Sequence, residues 1–221
     1  LDKQKYMNDK KHVFLPGWGF SASIWQYFYP TLVQSQCINM PDFDVGDEKE
    51  VLAKLEESLA GAHVIHAWSH SGLWLLKLLM KKRIQPQKIY FYGLPLVWQF
   101  HEDAKKAAFI RQYQLNQTAL ANKFIKLICF PNLLQQIDFP LDFTQDNYKS
   151  NLNYLRWMFR FDFAIEQIRL IVAQYQHKIL LAEKDAIIDS KTLAMQLDVV
   201  MIKGASHLDL LHYVCGDRYI V

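Results

Sequence analysis

The chain of 221 residues is 51% apolar and 14% aromatic with 21% charged residues, a composition that builds one domain-sized core and excludes a disordered or low-complexity protein. Twenty-five Lys and Arg against 22 Asp and Glu leave a formal net charge of +3, too mild a balance to point to a nucleic-acid binder. The three cysteines, Cys37, Cys129 and Cys215, are odd in number and far apart, so neither a disulfide framework nor a zinc ribbon is expected and a reducing cytoplasm fits.

The first eleven residues, LDKQKYMNDKK, are charged where a secretory leader needs an apolar run. Nowhere do roughly 18 apolar residues follow one another, so no membrane span is expected. HVFL at 12–15 reads as a strand ended by Pro16-Gly17, and a helix is predicted over 22–33. CINM at 37–40 reads as a second buried strand stopped by Pro41-Asp42. Asp47 suits the N-cap of a helix over 48–60, with Val51, Leu52, Leu55 and Leu59 on one face. HVIHA at 63–67 is the third strand, residues 72–82 the next helix and KIYFY at 88–92 the fourth strand. Strands alternating with helices predict an α/β protein whose mainly parallel sheet is flanked by helices.

From Pro95 to Gln176 the pattern changes to helical segments near 98–114, 117–129, 146–159 and 162–175, punctuated by Pro131 and Pro140. The strand–helix rhythm resumes with KILLA at 178–182, a helix from Ser190, DVVMI at 198–202 and a last helix from about Asp209. The expected organisation is a sheet domain assembled from residues 1–94 and 177–221, with residues 95–176 as a helical lid inserted after the fourth strand. An insertion of that length with structure of its own reads as a binding element rather than a passive loop.

The stretch HVIHA-WSHSG at 63–72 places Ser69 on a sharp turn from strand to helix, the context that a nucleophile elbow requires. The usual glycines two residues before and after are replaced by Ala67 and Ser71, both small. A serine that merely caps a helix fits the same position. A serine hydroxyl becomes a useful nucleophile when an imidazole takes its proton and a carboxylate orients that imidazole. Asp185 follows KILLA and His207 follows DVVMI, which gives the order Ser, Asp, His with each candidate just past a strand end. Asp189 is better suited to capping the helix at Ser190, and Glu183 is a weaker acid candidate. His63 and His66 suit satisfied strand histidines, while His12 and His212 are poorly placed. The backbone N–H groups of Trp18, in the glycine-bearing loop Gly17-Trp18-Gly19, and of His70 are the expected oxyanion-hole donors. One such donor is worth roughly 3–4 kcal/mol in the transition state.

These pieces resemble the α/β-hydrolase superfamily, and within it the pimeloyl-[acyl-carrier protein] methyl ester esterases of biotin synthesis. The resemblance rests on Phe14-Leu15-Pro16-Gly17-Trp18-Gly19-Phe20 with Ile24-Trp25, on Trp68-Ser69-His70-Ser71-Gly72-Leu73, and on Asp185-Ala186-Ile187-Ile188 with Gly204-Ala205-Ser206-His207. It implies the α/β-hydrolase fold, a Ser69–His207–Asp185 triad with no cofactor or metal, and a methyl ester on a pimeloyl chain carried by acyl-carrier protein. It also implies that Trp18 packs on the acyl chain. The chain departs from the family pattern at Pro16, where histidine is usual, and at Ala67 and Ser71. With about eleven residues before the first strand, the family's N-terminal hairpin is expected to be reduced or missing.

Between Ala104 and Ile137 the sequence holds Lys105, Lys106, Arg111, Lys123 and Lys126 and no acid, and Lys149, Arg156 and Arg160 follow. Lys123 with Lys126 and Arg156 with Arg160 share helix faces, and an acidic carrier protein suits such a surface. Solvated lid helices would look the same. Phe100, Tyr113, Trp157 and Phe159 are candidates to line an acyl site, with Trp157 and Phe159 the expected substrate contacts beside Trp18. A carboxylesterase or thioesterase for small acyl groups, and a non-catalytic binding protein on the same fold, remain open as alternatives. The expectation is a cytoplasmic monomer that partners acyl-carrier protein and binds neither nucleic acid nor membrane.

Overall fold

The computed structural model describes residues 11–32, 36–44, 46–99, 102–131 and 139–213. The expected loss of an N-terminal hairpin, Cys215 and Phe100 lie outside these residues. Five strands, β1 (His12–Leu15), β2 (Val64–Trp68), β3 (Lys88–Tyr92), β4 (Gln176–Ala182) and β5 (Val200–Ile202), form one parallel sheet in the order β1-β2-β3-β4-β5. The first two are buried along their whole length, which is why they read as unbroken apolar runs: helices cover both faces of a parallel sheet.

Helices α1 (Ser23–Phe28), α2 (Glu48–Ser58) and α3 (His70–Met80) alternate with the first strands. Asp47 caps α2 as its sequence position suggests, accepting a bond from the Lys49 amide at 2.8 Å. The α1 helix stops at Phe28, short of the predicted 33. Pro30 disfavours helical backbone at the residue before it, and Tyr29 is extended at φ −133°. Helix α3 packs on β2 and on α2, with Phe91 of β3 facing Gly72 at its start. Side chains alternate along a strand, so the next residue, Tyr92, faces the other way and meets Trp25 of α1 at 5.5 Å.

Residues 37–40 do not form the predicted buried strand. They make one parallel bridge, Phe14 to Cys37, and the Ile38 amide donates to the Phe14 carbonyl at 3.0 Å. The segment lies on the outer flank of β1, its one strand neighbour among the described residues, and Pro41 follows at once, so the ladder does not extend. From β1 the chain thus goes first to one side and then back across to β2 on the other. That reversal makes a topological switch point, and the crevice of an open α/β sheet lies there, past the strands' carboxyl ends.

Between β3 and β4 run α4 (Asp103–Leu115), α5 (Gln117–Cys129), α6 (Tyr148–Arg160) and α7 (Ile165–Val172). They follow the third strand of the sheet, not a fourth, because 37–40 is not one. Helix α4 packs on α5 and α6, and α7 packs against α3. The short α8 (Ser190–Ala194) and a 3-10 turn over Asp209–Tyr213 complete the described chain. No helix is long and apolar enough to cross a membrane among the described residues.

The joint between α3 and α6 is aromatic. Trp74, with no exposed surface, stacks on Trp157 with ring centres 3.8 Å apart and takes Phe43 and Tyr154 edge-on at 5.5 and 5.7 Å. Truncating a buried aromatic of this size costs about 3–5 kcal/mol. Trp74→Ala is therefore expected to lower the urea midpoint sharply and to loosen α6, measured by denaturation and by hydrogen exchange across 148–160.

Candidate active site

Ser69 lies between β2 and α3 with backbone angles φ 57° and ψ −124° and makes no side-chain cap bond. An N-cap residue sits in the extended region and accepts from the helix's first amides, so capping does not describe Ser69. A non-glycine residue at positive φ costs of order 1–3 kcal/mol and is held only by its surroundings. Here the Ser69 amide donates to the Tyr92 carbonyl at 2.8 Å, and the Gly72 amide donates to the Ser69 carbonyl at 2.9 Å. Ser71, where a glycine is usual, is fully buried and donates its hydroxyl back to the Trp68 carbonyl at 3.0 Å, so its added polar atom is satisfied within the turn.

Asp185 and His207 come together past the ends of β4 and β5. Asp185 Oδ2 is 2.7 Å from His207 Nδ1, and Asp185 Oδ1 accepts from the amides of Ile187 and Ile188, both at 2.9 Å. Those amides leave Oδ2 for the imidazole and hold the carboxylate in one orientation. His207 is 1% exposed, and its Nε2 has no hydrogen-bond partner among the described residues. A Cβ built at Gly93 would fall 2.6 Å from His207 Cε1, so only a glycine at this position, itself at φ 59°, lets the ring lie against the end of β3. The neighbouring residue, Tyr92, receives the Ser69 amide, so Ser69 and His207 occupy the same end of the same strand.

Residues 97–99 brace the acid loop in a way that the sequence pattern does not announce. Trp98 bridges Ile188, the Gln99 amide donates to the Ile187 carbonyl at 2.8 Å, and Gln99 Nε2 donates to the Ile188 and Asp185 carbonyls at 3.0 and 3.3 Å. This is why the helix predicted from 98 begins only at Asp103. Asp189 caps α8, accepting from the Thr192 amide at 3.0 Å. Glu183 is exposed and accepts from the Gly204 amide at 2.8 Å, which ties the acid loop to the histidine loop without placing a second carboxylate at the imidazole. His66 stacks between Phe14 and Tyr90 at 4.3 and 4.8 Å, with nitrogens 3.1 Å from His12 and 2.9 Å from the Tyr92 hydroxyl. Burial, and after it the neighbouring His12 and Lys88, push its pKa well down. His63 accepts from the Lys11 amide at 3.3 Å, and His212 packs edge-on against Phe28 at 4.7 Å.

The Gly17-Trp18-Gly19 loop is pinned by the segment that precedes α6. Gly19 accepts from the Asp142 amide at 2.8 Å, the Ser21 amide donates to the Pro140 carbonyl at 3.1 Å, and Phe20 bridges Leu141. Trp18 is buried among Phe109, Phe124 and Phe143, and its indole N–H donates to the Asn151 carbonyl at 2.9 Å. As the first residue of α3, His70 has no carbonyl four residues back within the helix, so its amide belongs to the helix's orphan donors.

An apolar cavity of about 20 Å³ is lined by Trp18, Phe109, Phe124, Leu155, Met158 and Phe159, among others. Trp157 is not among its walls. Leu155, Met158 and Phe159 share one face of α6, and at 100° per residue Trp157 points the opposite way, onto Trp74. Its indole N–H donates to Glu48 Oε2 at 2.8 Å, and Lys77 lies 5.4 Å from the ring centre. Burial raises the Glu48 carboxyl, but the bonds from Lys77 and Trp157 outweigh this and leave it lowered. Tyr113 packs against Trp18 at 5.7 Å. Lys105 and Lys106 pair with Glu102 and Asp103, whereas Lys123, Lys126, Arg156 and Arg160 make no ion pair among the described residues. Lys123, Lys126 and Arg160 are exposed and Arg156 is half-buried. No group of three or more His, Cys, Asp or Glu that could hold a metal occurs among the described residues.

No protein-family model matches the sequence, and no curated protein sequence does. Solved structures do match. A hydrolase from Oleispira antarctica, olei00960, superposes with a TM-score of 0.69 at 14% identity, over 91% of this chain and 86% of that one. Carboxylesterase CesB from Bacillus subtilis gives 0.57 at 14% identity, over 93% and 80%. BioG from Haemophilus influenzae gives 0.55 at 17% identity, over 92% of each chain. With the parallel sheet, the switch point and the strained strand-to-helix turn, these likenesses place the chain in the α/β-hydrolase fold.

Proposed function

We propose that the protein is a serine ester hydrolase in which Ser69 is the nucleophile, His207 the general base and then acid, and Asp185 the group that orients His207. The backbone of Ser69 carries this reading: a serine held at positive φ without capping its helix is presented for reaction rather than for structure. In the reaction, His207 Nε2 takes the Ser69 proton as Oγ attacks the ester carbonyl, and the alkoxide that forms is met by the amides of Trp18 and His70. The proton passes to the leaving alcohol, and water then releases the acid from the acyl-enzyme by the same steps in reverse roles. Two of the structural relatives described above bear the names hydrolase and carboxylesterase, which supports the reaction class.

The finer reading is a methyl ester esterase for a pimeloyl chain on acyl-carrier protein. It is supported by the resemblance in the Gly17-Trp18-Gly19 and Trp68-Ser69 segments and by the cations of α5 and α6. In this reading residues 95–176 act as a lid, Trp18 and Phe159 contact the acyl chain, and Lys123, Lys126, Arg156 and Arg160 receive the acidic carrier. A second reading is an esterase for short acyl groups, which would disturb the packing around Trp18 less than a long chain would. A cavity of about 20 Å³ has room for little more than one water, so a seven-carbon chain requires α4, α5 and α6 to part.

Three outcomes follow. A fluorophosphonate is expected to label the wild-type protein and not Ser69→Ala; absence of labelling in both identifies a binding protein on a hydrolase fold. Asp185→Asn is expected to lower kcat about 10⁴-fold, because the wrong tautomer of His207 is then favoured, while circular dichroism stays unchanged. Arg156→Glu with Arg160→Glu is expected to slow turnover of a carrier-linked methyl ester and to leave short p-nitrophenyl esters unaffected. Equal losses on both substrates would count against carrier docking there.

A further inference from the structure

The Gly17-Trp18-Gly19 loop has little to hold it in one shape from within. Its glycines impose few steric limits, and the turn closes through a long bond, from the Phe20 amide to the Gly17 carbonyl at 3.3 Å. Gly19 stands at φ 77°, and Phe143 lies so close that a side chain there would overlap its ring. The Trp18 amide donates to no acceptor among the described residues. A donor that meets a developing charge must be aligned beforehand, so the loop depends on what packs outside it.

Three hydrogen bonds provide that alignment, and they close a circuit. The Trp18 indole donates to the Asn151 carbonyl at 2.9 Å. Asn151 Nδ2 donates to the Asp142 carbonyl at 2.7 Å, and the Asp142 amide donates to the Gly19 carbonyl at 2.8 Å. The path leaves the loop at Trp18 and re-enters it at the next residue. The Trp18 Cα, which carries the amide, is therefore held by its own side chain and by its neighbour's carbonyl. Asn147 steadies Asp142 in turn, its Nδ2 donating to Oδ1. Asn151 is the member that helix formation does not explain. It is 6% exposed and lies within α6, where asparagine is a poor helix former and a buried amide is costly unless bonded.

We propose that Asn151 is a positioning residue for the oxyanion hole: through Trp18 on one side and Asp142 and Gly19 on the other, it aims the Trp18 amide at the ester oxygen. The proposal rests on the serine-hydrolase reading but not on the carrier-protein one. It makes helix α6, outside the sheet, responsible for aligning a donor that the loop after β1 carries. Negative charge builds on the ester oxygen only as Ser69 attacks. A misaligned amide therefore weakens the transition state and leaves the bound ester little affected, which places the loss in kcat rather than KM. Asp185 and His207 are bonded to each other and to the amides of Ile187 and Ile188, apart from this circuit, so the acidic limb of the pH profile is expected to stay in place.

The test uses Asn151→Leu, which keeps the branched shape and removes the donor, and Asn151→Ala, which removes it without overpacking. Rates on p-nitrophenyl butyrate are taken per active site, counted by fluorophosphonate labelling carried to completion. Both variants are expected to lose about 100-fold in kcat with KM nearly unchanged. A trifluoromethyl ketone adds to Ser69 as a hemiketal whose oxygen ionises in the hole, and fluorine NMR follows that ionisation with pH. Its midpoint is expected to rise by about 2 pH units in the variants, one for each tenfold; a residue that serves only the fold leaves it at the wild-type position. Asn151→Gln, which keeps the donor, is expected to recover much of both. Unchanged kcat per site, or a lower kcat with the wild-type hemiketal midpoint, overturns the positioning role and leaves the esterase reading standing. Loss of folded protein in both Asn151→Leu and Asn151→Ala also overturns it, because Asn151 then serves the fold as a whole. So does a wild-type protein that turns the ester over and forms no hemiketal. A wild-type protein with neither ester turnover nor fluorophosphonate labelling overturns the serine-hydrolase reading, and the proposal with it.

Discussion

The architecture of the site depends on one strained residue. Ser69 sits at φ 57°, a conformation that a side chain other than glycine adopts only under compulsion. The compulsion comes from both neighbours in the chain: β2 is clamped between β1 and β3, and α3 must begin at once to pack on β2. The bond from the Ser69 amide to Tyr92 carries the sheet ladder one step past the strand and fixes where the turn occurs. The stability of a parallel sheet whose first two strands are buried along their whole length offsets this strain of a few kcal/mol.

The same end of the sheet assembles the remaining groups. Each of the three loops follows a strand and is tied by bonds to a neighbour: the loop of Asp185 to Gln99, the loop of His207 to Glu183, and the Gly17–Gly19 loop to Asp142 and Pro140. Asp185 and His207 are both withdrawn from water, where their contact is electrostatically stronger than it would be in solvent. The switch point between β1 and β2 leaves the crevice in which such groups can meet a ligand. An apolar cavity lies against Trp18, with Phe109 and Phe124 among its walls.

Much of the fold is legible along the chain. HVFL and KIYFY become strands with the bounds that their apolar runs suggest, and the helix over 117–129 keeps both ends. The errors have physical causes. CINM is as apolar as a strand, but at the sheet's flank it has one strand partner among the described residues and a proline behind it. The helix expected from 98 loses its first turn because Trp98 and Gln99 bond to the acid loop instead. Trp157 turns away from Leu155 and Met158 by its angle on the helix and stacks on Trp74 instead.

By itself the sequence determined the α/β rhythm, the order of serine, aspartate and histidine each just past a strand end, and the glycines of the Gly17-Trp18-Gly19 loop. These are local properties: periodicity, turn chemistry and distance along the chain. Only the tertiary structure decided that Ser69 is strained rather than capping, that Asp185 rather than Glu183 faces His207, and that the buried His70 ring nitrogens have no hydrogen-bond partner among the described residues. Each of these turns on which atoms lie within hydrogen-bond reach across the sheet, and contacts between distant segments are set by how the whole sheet and its helices pack rather than by any neighbour in sequence.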